Sequence, residues 1–198
     1  MTVEKRTYRM TKRAELEAQT RQRIAESAVE LHERFGPART SISAVAEHAG
    51  VRRSTVYRHF PDERALFAAC SGLWSQANPP PDIGRWAEIR DPSARLRSAL
   101  EELYGYYRQT ERMMAHVLRD ESASPVVREF FSPFRAFLES SREILMDGRR
   151  VRGAARRRRV LAAIGHALAF TTWQSLAGEQ GLDDAQSAEL MCLLVETA

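Results

Sequence analysis

Apolar side chains recur at spacings of three and four residues along almost the whole chain, and this periodicity is the strongest constraint on its fold. Ile24, Ala28 and Leu31 give one such series, and Leu96 and Leu100 belong to another. Because one helical turn takes about 3.6 residues, each series lies on one side of a helix. No segment shows the alternation of apolar and polar residues between turn residues that is typical of a half-buried strand. The pattern therefore predicts an all-α protein.

Glycines and prolines divide this pattern into about nine predicted helices. Gly36-Pro37 ends the first helix, and Gly50 separates two short ones. The three prolines between Asn78 and Asp82 cannot continue a helix, so they mark a boundary. We predict four regions: a basic arm with the start of the first helix at 1–19, a small three-helix domain at 20–67, a connecting helix and proline-rich linker at 68–83, and a larger helical domain at 84–198.

In the larger domain, the periodicity predicts separate helices through 96–107 and 113–118, and one long helix over about 154–177. Asp91 and Asp183 stand where a carboxylate can accept hydrogen bonds from the free amides of a helix start. These positions set the starts of two of the predicted helices.

Composition removes several classes of protein. The 198 residues are 43% hydrophobic, which is enough for a sizeable core. The sequence has no run of about 18 apolar residues, so no membrane span is predicted. The N-terminal segment lacks the apolar region of a secretory signal. The two cysteines, Cys70 and Cys192, lie in apolar helical contexts and are expected to be reduced. We therefore expect a cytoplasmic protein that contacts no membrane.

The positive charge is concentrated in the N-terminal part of the chain. Residues 1–76 hold 13 Lys and Arg against 9 Asp and Glu, whereas residues 77–198 hold 17 of each. A basic region is the electrostatic signature of a polyanionic partner. The excess of positive charge is small, so it indicates DNA binding only if the basic residues lie in a motif that binds DNA.

That motif is the stretch Val51–Phe60, VRRSTVYRHF, which has three arginines and no acidic residue. It follows a short helix and the turn at Gly50, so the two helices form a predicted helix-turn-helix. Arginine neutralises phosphates, and Arg, Ser and Thr in the first turns of the second helix can read base edges in the major groove. The pattern indicates binding to double-stranded DNA.

The segment from about Thr20 to Phe67 resembles the DNA-binding domain of the TetR family of transcriptional regulators. The match runs through Phe35-Gly36, Thr40-Ser41-Ile42, Val45-Ala46, Ala49-Gly50-Val51, Thr55-Val56-Tyr57, His59-Phe60 and Leu66. The resemblance implies an all-α homodimer of two-domain protomers, each with an N-terminal three-helix DNA-binding domain joined to a larger domain for ligand binding and dimerisation. It also implies that a small molecule in the larger domain alters DNA affinity.

The resemblance implies DNA contacts for seven residues, namely Ser41, Ser43, Arg53, Ser54, Thr55, Tyr57 and His59, and the basic character of the stretch adds Arg52 and Arg58. Ser41 and Ser43 would meet phosphates, residues 53–55 would face bases, and Tyr57 and His59 would hold the DNA backbone. Alternatively, the three arginines form a solvated face, Tyr57 is a core residue and His59 a surface histidine. Two positions depart from the family: Arg52 replaces a frequent serine cap, and Glu63 replaces a frequent lysine.

Two further basic segments leave alternatives open. The arm Met1–Arg13 either enters the minor groove or is a disordered tail. The run Arg149–Val160, RRVRGAARRRRV, has seven arginines and is either a solvated loop and helix start or a contact for a polyanion or a second copy.

Aromatic and methionine side chains in the larger domain are typical of a small-molecule pocket, although helical spacing also suits a plain core. The candidate ligand-binding residues are Trp86, Tyr107, Met114, His116, Phe130, Phe134, Phe137, His166, Phe170 and Trp173. Their composition suggests an apolar or aromatic effector. The candidate dimer contacts, on helices rich in Ala and Leu, are Leu161, Ile164, Leu168, Leu190 and Leu194.

No motif for catalysis, phosphate-binding loops or metal ligation is found, so we expect no enzyme activity and no cofactor. The sequence predicts a DNA-binding transcriptional regulator: a repressor that binds a palindromic operator as a homodimer and is released by a small-molecule effector. The alternative is a helical carrier of small molecules or lipids, or an enzyme, whose basic N-terminal third does not read DNA.

Overall fold

The computed structural model describes residues 3–198, with side chains from Thr11 onward. Within this range the fold is all-α, as predicted, and no strand is found. The ten α-helices are α1 (Val3–Phe35), α2 (Ile42–His48), α3 (Arg53–His59), α4 (Glu63–Ala77), α5 (Ile83–Ala87), α6 (Pro92–Glu121), α7 (Pro125–Met146), α8 (Ala154–Ala167), α9 (Phe170–Gln174) and α10 (Asp184–Thr197). The side chains of Lys5, Arg6 and Arg9 in the basic arm lie outside the described residues, so its proposed role stays a prediction.

The predicted caps form. Asp91 Oδ2 accepts a hydrogen bond from the amide of Ala94 at 2.7 Å. Asp183 and Gln186 form a reciprocal capping box at the start of α10. These local signals explain why the helix starts could be found from sequence.

Three differences turn nine predicted helices into ten. Helix α6 is continuous from Pro92 to Glu121, where two helices were predicted. No proline interrupts residues 107–113, and their helical hydrogen bonding continues unbroken. The short helix α5 was not predicted. The predicted helix at 154–177 is wrong: α8 ends at Ala167, and after a bend of 61° α9 begins at Phe170.

Buried phenols explain the break between α8 and α9. Tyr104 donates its hydroxyl hydrogen to the carbonyl oxygen of Ala167 at 2.8 Å, and Tyr107 donates to that of Leu168 at 2.6 Å. Because the helix breaks here, neither carbonyl accepts a hydrogen bond from a backbone amide of the following turn. The two hydroxyls therefore satisfy acceptors that would otherwise be buried without a donor. Burial raises the pKa of both tyrosines, so both remain protonated donors. A π-helical turn, Ser175–Glu179, follows α9.

The chain divides into two compact units. The first unit contains residues 1–78 and 115–130, and the second contains 79–114 and 131–198. The last turns of α6 and the first turns of α7 therefore belong to the first unit, although they lie in the sequence region predicted as the larger domain. The core of the first unit is built from α1 to α4 and includes Ile24, Val45, Val56, Phe60 and Leu66, each at most 4% exposed.

Candidate nucleic-acid interface

Helices α2 and α3 are joined by a tight turn that depends on one glycine. Ser41 Oγ accepts a hydrogen bond from the amide of Ala44 at 3.1 Å and so caps α2. Gly50 has φ of +65°, a left-handed conformation that side chains disfavour. The amide of Val51 then donates to the carbonyl of Ala46 at 2.9 Å. These contacts fix the direction in which α3 leaves the turn.

Helix α3 has one buried side and one exposed basic side. Val56 and the following Phe60 are each 1% exposed and pack in the core. The predicted DNA-contacting residues of α2 and α3 that are exposed are Ser41, Ser43, Arg52, Arg53, Ser54, Tyr57 and Arg58, while Thr55 and His59 are half-buried. Val56 and Phe60 are four residues apart, about one helical turn, so both point to the same side of the helix. The residues between them point to the other sides.

Arg53 and Tyr57 form a pair on this exposed side. Arg53 Nη2 donates to the Tyr57 hydroxyl oxygen at 3.0 Å, and its guanidinium carbon lies 5.5 Å from the ring centroid. Tyr57 is 41% exposed, so it is not a core residue. The pair spans one turn of α3 and restricts the rotamers of both side chains before a ligand arrives.

As predicted, α3 starts without a side-chain cap. Arg52 is the N-cap of α3, and its side chain makes no capping hydrogen bond. The free amides of this helix start, together with the guanidinium groups of Arg52 and Arg53, place positive electrostatic potential at the exposed end of α3.

The side chain of His59 is not freely exposed for donation to a phosphate. Its Nε2 atom is buried and has no hydrogen-bond partner among the described residues. Burial and then the charge of Arg58 lower its pKa, which favours the neutral ring. A phosphate contact through Nε2 therefore requires the ring to rotate.

Sequence reasoning missed two arginines of α1 that hold the helix-turn-helix in place. Arg21 donates from its guanidinium to the carbonyl of His59, and the group lies 4.2 Å from the Phe60 ring centroid. Arg23 Nε donates to the carbonyl of Ala49 at 3.1 Å. The two arginines thus bind the ends of α3 and α2, and no local sequence signal links residues that are 38 and 26 positions apart.

A second set of contacts lies within the first unit and involves its residues from α6 and α7. Asp120 Oδ2 accepts a hydrogen bond from the amide of Ala38 at 2.9 Å, and His116 Nδ1 lies 3.2 Å from the carbonyl of His32. Arg64 forms a bidentate ion pair with Glu129, with Nε–Oε2 at 3.1 Å. Because Arg64 already has a protein partner, it does not simply substitute for the phosphate-binding lysine that is frequent in the family at the position of Glu63.

His32 and Cys70 lie beneath these contacts. The ring nitrogen Nδ1 of His32 is 3.7 Å from Cys70 Sγ, and the ring centroid is 5.3 Å from that of Phe67. Burial lowers the pKa of His32 to about 4, against an opposing effect of Asp120. Burial raises the pKa of Cys70 to about 12, so the thiol is not a reactive thiolate near neutral pH.

The ten candidate ligand residues fall into both units. Two of them, His116 and Phe130, belong to the first unit, where Phe130 lies 5.4 Å from the Phe67 ring centroid. In the second unit, Trp86, Tyr107, Met114, Phe170 and Trp173 are buried, Phe134 and Phe137 are half-buried, and His166 is exposed.

An aromatic cluster in the second unit surrounds Tyr107. Its ring centroid lies 5.3 Å from Phe170 in an edge-on arrangement, 6.0 Å from Trp173 and 6.4 Å from Phe134. Trp173 Nε1 donates to Asp184 Oδ1 at 2.8 Å, and Arg108 pairs with the same carboxylate at 2.7 Å. These contacts supply the polar groups that orient the apolar cluster.

The candidate dimer residues also divide. Ile164 and Leu168 are 0% and 2% exposed within one protomer, so they belong to its core. Leu161 is half-buried. Leu190 and Leu194 are 42% and 40% exposed, and Leu193, which sequence reasoning did not select, is 53% exposed. Among these residues, the exposed leucines therefore all lie on α10.

Neither a metal-binding group nor a single membrane-spanning helix is found among the described residues. No three His, Cys, Asp or Glu side chains are grouped there in a way that could hold a metal ion. No single helix in that range is long and apolar enough to cross a membrane. Only the bent pair Ala154–Ala167 and Phe170–Glu179 reaches the necessary length and apolar composition together.

The capped helix α2, the glycine turn and the exposed basic side of α3 define a helix-turn-helix, so the protein is of the DNA-binding regulator class. Residues 24–70 match the model of the family described as bacterial regulatory proteins, tetR family. Residues 24–70 therefore form a DNA-binding domain of the tetR type, and the protein is a DNA-binding transcriptional regulator. No curated protein matches the sequence significantly.

Solved structures extend the similarity of fold to almost the whole chain. A TetR-like transcriptional regulator from Rhodococcus sp. RHA1 has a TM-score of 0.63 at 19% identity, covering 89% of this chain and 93% of that one. A tetR-family regulator from Streptomyces coelicolor has a TM-score of 0.59 at 22% identity, covering 91% and 78%. NalD, the secondary repressor of the MexAB-OprM multidrug efflux pump in Pseudomonas aeruginosa, has a TM-score of 0.58 at 21% identity, covering 91% and 96%.

Proposed function

We propose that this regulator is a repressor that binds a palindromic operator as a homodimer and is released by a small-molecule effector. The observation that carries the proposal is the exposed Arg53–Tyr57 pair on a helix whose other side is fixed in the core. Arg53, Ser54 and Thr55 face base edges from the first turn of α3. Ser41, Ser43, Arg52, Tyr57 and Arg58 contact phosphates, and His59 does so after ring rotation.

The homodimer in this proposal uses the exposed leucines of α10. Leu190, Leu193 and Leu194 recur at spacings of three and four, so they lie along one side of the helix. A cluster of exposed leucines is typical of an interface rather than of a free surface. A two-fold dimer would present two copies of α3 to half-sites about one DNA turn apart, roughly 34–36 Å, or a multiple of it.

The effector in this proposal binds in the second unit near the aromatic cluster around Tyr107. Apolar and aromatic walls with a few fixed polar groups suit an apolar or aromatic small molecule. The similarity to NalD, a repressor of an efflux pump, supports the choice of repressor and does not identify the effector. Residues 20–67 act as the DNA-binding domain, 68–83 as the connection and 84–198 as the effector and dimerisation domain. The proposed place of action is the cytoplasm, with no enzymatic step.

The test is a fluorescence anisotropy titration of the wild-type chain with the DNA upstream of its own gene, or with an operator selected from random DNA. We expect saturable binding that weakens steeply with salt and needs both half-sites. Tyr57→Ala should abolish it, because the substitution removes both the ring and the partner of Arg53. Phe35→Ala is a matched control, since it removes an equally exposed ring, 42% against 41%, from the same unit and leaves α3 unchanged.

If no sequence is selected from random DNA, or if Tyr57→Ala binds like the wild type, the proposed DNA contacts are wrong. Binding to one half-site as tight as to the full palindrome would contradict the dimer. Small molecules are then screened for release of the operator from the wild-type chain.

A further inference from the structure

The arginine run Arg149–Arg159 lies beside a cleft that the DNA-binding function does not use. The cleft has a volume of about 370 Å³ and is formed within the second unit by the starts of α6 and α8 and the end of α10. Three arginines line it, Arg149, Arg150 and Arg156, against one acidic residue, Glu196. The cleft is therefore strongly electropositive on the scale of a small molecule.

The seven arginines of this run form no ion pair within 4.0 Å with any Asp or Glu side chain of the described residues. Arg149 is half-buried and donates to carbonyls, from Nε to Leu145 at 2.9 Å and from Nη2 to Pro92 at 2.8 Å. Burial lowers its pKa and the nearby buried Arg95 adds repulsion, while the carboxylates of Glu196 and Asp91 oppose this shift. A partly desolvated cation that forms no direct ion pair is costly.

The start of α8 adds to this imbalance. Gly153 is its N-cap and provides no side-chain hydrogen bond, and its first turn has no acidic residue. Arg156 follows in that turn, where the helix dipole disfavours a cation and favours an anion. Arg156 lines the cleft, so an anion there would meet its guanidinium group at this helix start.

The rest of the lining is mixed. Three of its residues are valines, Val151, Val160 and Val195, and Ser93 and Glu196 are polar. A ligand that combines an anionic group with a small apolar part would therefore suit the cleft. A phosphate ester meets both conditions, because its phosphate carries about two negative charges near neutral pH and suits the guanidinium fork.

We propose that this cleft binds a small molecule carrying a phosphate ester, with the phosphate held by Arg149, Arg150 and Arg156 and the apolar part against the three valines. The site is separate from the aromatic cluster around Tyr107 and does not depend on the proposed operator binding.

The test is isothermal titration of the full chain with phenyl phosphate and with pyrophosphate at fixed ionic strength. We expect saturable binding to the wild type. Arg150→Gln with Arg156→Gln should weaken it by at least about tenfold, since each loses a charged hydrogen bond. Both side chains are exposed, so folding should be unaffected. The matched control is Arg157→Gln with Arg158→Gln, which removes the same charge from the same run outside the cleft and should change affinity by less than about twofold.

A parallel arm uses sedimentation with vesicles containing phosphatidic acid, which distinguishes a lipid headgroup from a free phosphate ester. Binding only to vesicles, lost in the cleft variant and kept in the control variant, supports the site and assigns the phosphate to a lipid. Equal weakening in both variants would mean diffuse attraction and would overturn the proposal. Absence of binding to all three probes would also overturn it. A loss of DNA affinity in both variants would assign the arginine run to nucleic acid and would overturn the proposal as well.

Discussion

The two arginine-rich stretches of this chain differ in what lies beneath them. Val51–Phe60 has three arginines in ten residues, and Arg149–Val160 has seven in twelve. The first stands on a helix fixed by buried Val56 and Phe60, so its charges project from one surface. The second crosses a loop and the exposed start of α8, where a cleft replaces a flat surface. The density of positive charge is therefore a poorer guide to DNA binding than the apolar spacing that orients it.

The largest effect should come from breaking the buried side of the first stretch. Val56 is 1% exposed, so Val56→Asp places a carboxylate in the core. We expect a loss of free energy of unfolding on the order of 4 kcal/mol and no DNA binding. Ala155→Asp is the counterpart in the second stretch, where an acid in the first turn of α8 favours the helix. Urea unfolding measures both. Equal destabilisation by the two substitutions would contradict the comparison.

Acidification should also separate the two stretches, because the unit that carries the first one contains the buried His32. Its folded-state pKa of about 4 lies below the ordinary value of 6.5. The unfolded chain therefore binds the proton first, so the stabilisation is complete above pH 6.5 and is lost as pH falls toward 4. The total is on the order of 3 kcal/mol.

Unfolding free energies measured between pH 7.5 and 4.5 test this effect. His32→Gln should flatten the decrease, whereas His48→Gln, at an exposed histidine, should retain it. If His32→Gln keeps the wild-type pH profile, the buried histidine is not its cause.

A smaller effect is expected from removing a single arginine from each stretch. Arg53→Gln removes a proposed base contact and the partner of Tyr57, so operator affinity should fall roughly tenfold to a hundredfold. Arg158→Gln removes the same charge from the second stretch and should change affinity by less than about twofold. Anisotropy titrations at one salt concentration compare them. A similar loss in both would show that net charge, not position on α3, controls binding.

The smallest effect concerns the missing cap of α3. Arg52→Ser supplies a hydroxyl at the N-cap and should stabilise the first unit by about 1 kcal/mol. The same substitution removes the charge of a proposed phosphate contact, so operator affinity should fall as thermal stability rises. Thermal unfolding tests the expected rise in stability, and fluorescence anisotropy of the same samples tests the expected fall in operator affinity. A fall in stability would mean that the Arg52 side chain contributes more than the cap.

Local signals explain what could be predicted. Ser41, Asp91 and Asp183 cap helices, and the order of apolar residues around Gly50 predicted the helix-turn-helix. Each signal acts within a few residues, so it can be recognised without knowing the rest of the fold. The nine candidate DNA contacts followed from that register, and seven of them are exposed in the structure.

Contacts between distant residues could not be predicted in this way. Tyr104 and Tyr107 stabilise the break after Ala167 from more than 60 positions away. Arg21 reaches His59 across 38 positions. Ile164 has the pattern of an interface residue, but the fold buries it within one protomer.

The sequence by itself determined the all-α class, the helix starts and the family of the N-terminal segment, because capping and 3.6-residue periodicity are local properties of the chain. The tertiary structure decided which apolar sides are core and which are exposed on α10. It also decided that residues 115–130 complete the first unit and that three arginines share a cleft. These outcomes depend on packing between segments far apart in sequence, where hydrogen bonds and burial are satisfied by partners that no local pattern identifies.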